Sequence, residues 1–113
     1  MPATDITFRD MERSPALENT IQEWVSRLEK LDPRLLRCSV VIAKPHRHQR
    51  HGAAIHVTIE IAIPDQVIVI GREPELDDAH SDAHVAVADA FRSARRRLQS
   101  ALEIRRGDVK AHA

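Results

Sequence analysis

The fold is decided by residues 54–71, AIHVTIEIAIPDQVIVIG. From Ile55 to Ile63 every second residue is Ile or Val, and the residues between them are His, Thr, Glu and Ala. This alternation predicts a strand over 54–63 with one buried face and one face toward solvent. Pro64-Asp65 then predicts a turn, and residues 66–71 predict the antiparallel partner strand of a hairpin.

Two more strands and two helices are predicted around this hairpin. Residues 4–9 and 35–45 alternate as strands, and Ser14-Pro15 provides a cap and a first-turn proline for a helix that Asp32-Pro33 ends. The first helix has apolar residues at helical spacing: Leu17, Ile21, Trp24, Val25, Leu28 and Leu31. The second strand presents Leu36, Cys38, Val40 and Ile42 on one face. A long final helix has a buried stripe of Val87, Phe91, Ala94, Leu98 and Ala101.

The order of elements is therefore β-α-β-β-β-α. Because one sheet face is buried, both helices are expected on that face, which gives a two-layer α+β sandwich with a four-stranded mixed sheet. The first two strands should be parallel neighbours joined by a crossover, and the other neighbours antiparallel. Residues 1–104 are predicted to form one domain, followed by a flexible basic tail at 105–113.

Charge is segregated along a chain that is neutral overall. Residues 34–51 hold five Lys or Arg and no acid, and residues 91–113 hold seven against Glu103 and Asp108. Residues 52–90 hold eight acids against Arg72 alone. One face of the folded protein is therefore expected to be cationic enough to hold a polyanion.

Several functional classes are disfavoured by composition. A single cysteine, Cys38, predicts a reducing compartment, and the first ten residues lack a signal-peptide pattern, which predicts a soluble, cytoplasmic protein. With three glycines, the chain has no P-loop, dinucleotide fingerprint or nucleophile elbow. Cys38 lies in mid-strand and is interpreted as a core residue. We predict a protein that is not an enzyme and needs no cofactor or small-molecule substrate.

The two basic segments contain the candidate binding residues. On the last helix, Arg92 and Arg96 fall opposite the buried stripe, with Arg95 beside them, in positions suited to phosphate oxygens. Between the second and third strands, a loop rich in Lys, Arg and His could follow an RNA backbone. Its residues are Lys44, His46, Arg47, His48, Arg50 and His51.

A metal site is the competing interpretation of the histidines. His46, His48 and His51 have ligand-like spacing, and His80 and His84 form an i, i+4 pair near Asp82. The segment HSDAH lacks the glutamate of an H-E-x-x-H motif, and the neighbouring arginines disfavour a bound cation. We therefore predict no metal. The acidic run at 73–78 is interpreted as favourable charge before the last helix.

Three segments resemble one family when taken in order. They are KPHRHQRHG at 44–52, REPELDDAHSDAHVAVADAFRSARRRL at 72–98 and RRGDVKAH at 105–112. Together with the order of elements, they resemble the ribosome hibernation-promoting factors, also called ribosome-associated inhibitor A or the sigma-54 modulation proteins. The resemblance implies a fold like the double-stranded-RNA-binding domain with an extra leading strand.

The resemblance also implies a function and a set of contacts. The protein would bind the small ribosomal subunit and its rRNA in the channel of mRNA and tRNA, and block translation reversibly under stress or in stationary phase. Basic residues of the family carried onto this chain are Lys44, His46, Arg47, His48, Arg50, Arg92, Arg95 and Arg96, with Arg37 and Arg72 as weaker candidates. No C-terminal ribosome-pairing domain and no membrane partner are expected. The alternatives are a general RNA-binding or protein-interaction module and a small His-based metal-binding protein.

Overall fold

The computed structural model describes residues 2–44, 55–71 and 82–111, with side chains up to residue 106. Its elements, in chain order, are β1 (Ala3–Arg9), α1 (Pro15–Leu31), β2 (Arg37–Ala43), β3 (His56–Ile63), β4 (Gln66–Ile70) and α2 (Ala83–Ala111). The four strands form one sheet in the order β1-β2-β3-β4. β1 and β2 are parallel, and the other neighbours are antiparallel. The predicted α+β fold class and strand pairing are confirmed.

Alternation in β3 sets the division between core and solvent. Val57, Ile59, Ile61 and Ile63 are buried, while the residues between them are partly exposed. The helices cover this buried face, since α2 packs on β3, β4 and α1, and α1 packs on β1. The opposite sheet face lacks a covering layer among the described residues. A sheet with one buried face and one face toward solvent gives a two-layer sandwich.

Helix α1 begins and ends at the predicted signals. The Ser14 hydroxyl accepts a hydrogen bond from the Leu17 backbone N–H at 3.2 Å, and Pro15 occupies the first turn. This cap satisfies one of the backbone donors that have no partner within a helix. At the other end, the Asp32 N–H donates to the Leu28 carbonyl. Leu17, Ile21, Val25 and Leu28 are buried as predicted.

The chain departs from prediction at the start of β2. Leu36 was expected on the buried face, but it is exposed, and Leu35 is buried in its place. The reason is the turn after α1, in which the Leu35 N–H donates to the Asp32 carbonyl at 3.1 Å. This turn directs Leu35 into the core before the alternation of β2 begins at Arg37. Cys38, Val40 and Ile42 are buried as expected.

Helix α2 is longer than predicted. A flexible tail was expected from residue 105, whereas the helix continues to Ala111. Arg105, one turn past the core, forms an ion pair with Asp65 in the turn between β3 and β4. Between residues 98 and 106 the sequence has neither proline nor glycine, so nothing local ends the helix there. The helix thus extends across the predicted boundary, while the division into a domain at 1–104 and a flexible tail at 105–113 stays a prediction.

Gly71 ends β4 in a conformation that requires glycine. Its φ angle is +95°, and a Cβ atom built there would overlap the Val57 backbone carbonyl. The Gly71 carbonyl in turn accepts a hydrogen bond from the Thr58 hydroxyl at 3.2 Å. A residue with a side chain would be strained at this φ whatever the surrounding space. The glycine therefore allows β4 to leave the sheet close against β3.

Asp32 gives the fold a dependence on pH. The side chain is 1% exposed, and its carboxylate accepts hydrogen bonds from the Arg34 backbone N–H and guanidinium at 3.0–3.1 Å. Burial raises the pKa of Asp32, but the hydrogen bonds and the charge of Arg34 lower it more, so the net pKa lies below 3.8. A folded-state pKa below the unfolded one stabilises the protein at pH above the unfolded value, and this contribution is lost as pH falls through the folded value.

We expect Asp32→Asn to lower the free energy of unfolding at pH 7 by about 1–3 kcal/mol, because a charged acceptor is replaced by a neutral one. The difference from the wild type should shrink as the pH falls below about 4, where the wild-type carboxylate also becomes protonated. Urea unfolding at pH 7, 5 and 3 measures both effects. Glu12→Gln, at an exposed position, is the control. A difference that stays constant from pH 7 to 3 would show that the charge of Asp32 is not responsible.

Candidate nucleic-acid interface

A shallow open groove lies between α1 and α2. Its volume is about 370 Å³, and it is lined by Trp24, Arg92, Arg95, Arg96 and Gln99. The four α2 residues follow one another at i, i+3, i+4 and i+7, which places them on a single helix face. The buried residues Phe91, Ala94 and Leu98 form the adjacent stripe that fixes α2 on the sheet. Core packing therefore sets the direction in which the three arginines point.

The arginines of this groove are accessible to a large ligand. Arg92, Arg95 and Arg96 are all exposed, as is Arg97 on the other flank of α2. Arg92 pairs with Asp89 at 2.9 Å, one turn earlier, and Arg96 donates to the Ser93 hydroxyl at 3.0 Å. Asp89 precedes Arg92 by three residues, a spacing that places the two side chains next to each other on the helix surface. Exposed pairs of this kind are weak, so these guanidinium groups can exchange their partners for phosphate oxygens.

Trp24 lies at the edge of the apolar stripe of α1. It is partly buried, packs against the core and forms one wall of the groove. Its ring stacks on Phe91 with centroids 5.7 Å apart and an interplanar angle of 10°. The Arg27 guanidinium lies over the indole, 4.9 Å from the ring centroid. Trp24 thus contacts the core through Phe91 and also lines the groove that holds the arginines.

Only part of the predicted binding set can be located. Arg92, Arg95 and Arg96 come together as predicted. Lys44 is exposed at the end of β2, where its backbone N–H donates to the Arg9 carbonyl at 3.1 Å. His46, Arg47, His48 and Arg50 lie outside the described residues, and so does Arg72. The contacts of the whole predicted set with RNA stay predictions.

Arg37 lies on the opposite side of the molecule from the groove. It belongs to the sheet face that the helices leave uncovered, and it pairs with Glu60 on β3 at 3.7 Å. Both side chains of this pair are about half exposed. A ligand held by α2 would therefore not reach Arg37 by the same face. This position makes Arg37 a suitable site for control substitutions.

Among the described residues, no group of three or more His, Cys, Asp or Glu side chains is placed to hold a metal ion. Asp82, considered above as a possible ligand, caps α2 by accepting from the backbone N–H groups of His84 and Val85 at 2.8 and 3.3 Å. His84 is exposed. His46, His48, His51 and His80 lie outside the described residues, as does the acidic run at 73–78.

The Cys38 thiol is poorly suited to nucleophilic chemistry. The residue is fully buried in β2, and burial raises the pKa of the thiol to about 12. The thiolate is the reactive form of cysteine, and a pKa this high leaves almost none of it at neutral pH. The position agrees with the interpretation of Cys38 as a core residue.

Two residues of the groove were missed by sequence reasoning. Gln99 continues the face of Arg92, Arg95 and Arg96 by one turn, so the i, i+7 spacing was a usable signal. Trp24 had no such signal, since an apolar residue one position from Val25 fits a buried stripe equally well. Its exposure depends on where α2 lies against α1.

Comparison with models of known protein families shows to which family the chain belongs. Residues 4–106 match the family model described as sigma 54 modulation protein / S30EA ribosomal protein. The chain belongs to this family. Membership indicates a ribosome-associated protein, and it confirms the family recognised from the sequence. A search of curated proteins finds no match.

Two solved structures share the fold of this chain. The N-terminal domain of Thermus thermophilus Protein Y is similar with a TM-score of 0.67 and 15% identity, over 88% of this chain and 98% of that one. A ribosomal subunit interface protein from Coxiella burnetii has a TM-score of 0.70 and 13% identity, over 89% and 98%. At such identities the likeness establishes the shared fold. In the described part of the chain, no helix is both long and apolar enough to cross a bilayer.

Proposed function

We propose that this protein binds the small ribosomal subunit through the cationic face of α2 and reversibly blocks translation by occupying the channel of mRNA and tRNA. The observation that carries the proposal is the convergence of Arg92, Arg95 and Arg96 on one open groove. Family membership supplies the ribosome as partner. We propose that the protein acts in the cytoplasm, under stress or in stationary phase.

The proposed mechanism is occlusion without catalysis. Guanidinium groups neutralise rRNA phosphates and release their counterions, which supplies most of the affinity. Residues 1–104 act as the binding body, held rigid by a continuous core beneath both helices. Lys44, His46, Arg47, His48 and Arg50 are proposed as further phosphate contacts.

Co-sedimentation with purified small subunits across a salt series tests this proposal. We expect saturation near one copy per subunit and competition by tRNA. Each phosphate contact should add about 0.7–0.9 to the steepness with which log affinity falls against log salt. Free duplex RNA of similar length is the control, because a general RNA-binding module would bind it equally well. A folded protein that fails to bind subunits at low salt would contradict the proposal.

A further inference from the structure

The groove contains two side chains that a purely phosphate-binding surface does not need. Phosphate oxygens are acceptors, so arginine donors alone would satisfy them. The groove also has the indole of Trp24 as an apolar wall and the amide of Gln99, which both donates and accepts hydrogen bonds. An aromatic surface with an amide at its edge matches a nucleobase, which has a flat apolar face and a polar rim.

Trp24 is held ready for such a contact. The chain has only three aromatic residues, and Phe91 is fully buried while Trp24 is partly exposed. Stacking on Phe91 fixes the indole, so little side-chain freedom is lost when a ligand binds. Arg27 covers the ring from an exposed position, where a cation–π contact is weak. Arg27 is not among the residues that line the groove, so this contact does not close it.

The volume of the groove also fits a nucleotide. A volume of about 370 Å³ lies at the lower end of sites that bind small organic molecules, and it suits one nucleotide. A regular duplex keeps its bases stacked inside, so a base in this groove must be unpaired. One face of α2 carries the arginines at 92, 95 and 96, and the amide of residue 99 follows them on the same face.

We propose that the groove between α1 and α2 is a subsite for one unpaired nucleotide of the bound RNA, with Trp24 against the base and the arginines of α2 on the flanking phosphates. Gln99 hydrogen-bonds the polar edge of the base. The inference rests on the proposed function. It adds Trp24 as a residue that contacts a base, whereas the arginines contact the charged phosphates.

Trp24→Leu, compared with Trp24→Phe, tests the subsite. Loss of base stacking should weaken binding to small subunits by roughly 5- to 150-fold. The slope of log affinity against log salt should stay unchanged, because no phosphate contact is removed. Trp24→Phe should keep most of the affinity. Both variants are first checked by urea unfolding, so that binding is compared between folded proteins.

A second measurement uses the wild-type protein, in which Trp24 is the only tryptophan. A single-stranded RNA oligonucleotide should quench its fluorescence, whereas inorganic polyphosphate of equal charge should not. Equal quenching by both, or none by either, would overturn the proposal. Quenching by adenosine diphosphate at micromolar concentration, with no effect of RNA, would assign the groove to a free nucleotide and overturn it as well.

Failure of this inference can be told from failure of the proposed function. If folded Trp24→Leu binds subunits like the wild type while substitution of Arg92 and Arg96 abolishes binding, the base subsite is wrong and the charged face stands. If substitution of the arginines is also without effect, the proposed function itself is wrong.

Discussion

The double substitution Arg92→Glu with Arg96→Glu should reduce affinity for the small ribosomal subunit by roughly 100- to 10,000-fold, because two charge-assisted contacts are lost. Both side chains line the groove and lie on the solvent side of α2. The fold should be almost unaffected, since the described partners of these side chains are partly exposed residues on the same helix, Asp89 and Ser93. Binding is measured by co-sedimentation and stability by urea unfolding.

The salt dependence provides a second readout of the same variant. If two phosphate contacts are lost, the slope of log affinity against log salt should become shallower by about 1.4–1.8. A variant that binds weakly but keeps the wild-type slope would have lost something other than phosphate contacts. The replacement carboxylates also repel phosphate, so affinity should fall further than in Arg92→Gln with Arg96→Gln.

The matched control is Arg37→Glu with Arg97→Glu. It changes the net charge by the same amount, but Arg37 lies on the uncovered sheet face and Arg97 does not line the groove. If binding depended on net charge alone, both double variants would weaken it equally. We expect the control to retain affinity within about tenfold at physiological salt, where distant exposed charges are screened. Equal losses in both variants would contradict a localised interface.

The sequence was sufficient to predict the fold because several local signals agreed. The alternation at 54–63 predicted one buried sheet face. Ser14-Pro15 predicted the start of α1, and Asp32-Pro33 predicted its end. Each signal reflects a strong constraint, either apolar burial or a backbone group that must be capped. When such constraints point to the same topology, few alternatives remain.

The site was predictable only in part, because it depends on how elements meet. The i, i+4 arrangement of Arg92 and Arg96 follows from one helix and was predicted. The position of Trp24 depends on the packing of α1 against α2, and helical periodicity within α1 does not contain that information. The same holds for Leu35 and Leu36, whose burial is decided by a turn between two elements.

The final prediction concerns Phe91, where core and groove meet. The side chain is fully buried and is among the largest in the core, and its ring supports the indole of Trp24. Phe91→Ala should lower the free energy of unfolding by about 3–5 kcal/mol, since burial is lost and a cavity is left. A domain of this size has roughly 5–15 kcal/mol in total, so much of the stability would disappear. Urea unfolding measures the loss.

Phe91→Leu separates stability from the support of Trp24. It keeps most of the apolar volume, so its cost should stay below about 2 kcal/mol, although the aromatic stack is lost. If the stack positions the indole for RNA, Phe91→Leu should weaken subunit binding while the protein stays folded, and adding it to Trp24→Leu should produce no further loss. Additive losses in the double variant would instead mean that Phe91 and Trp24 affect binding independently, because coupled residues are the ones whose effects fail to add.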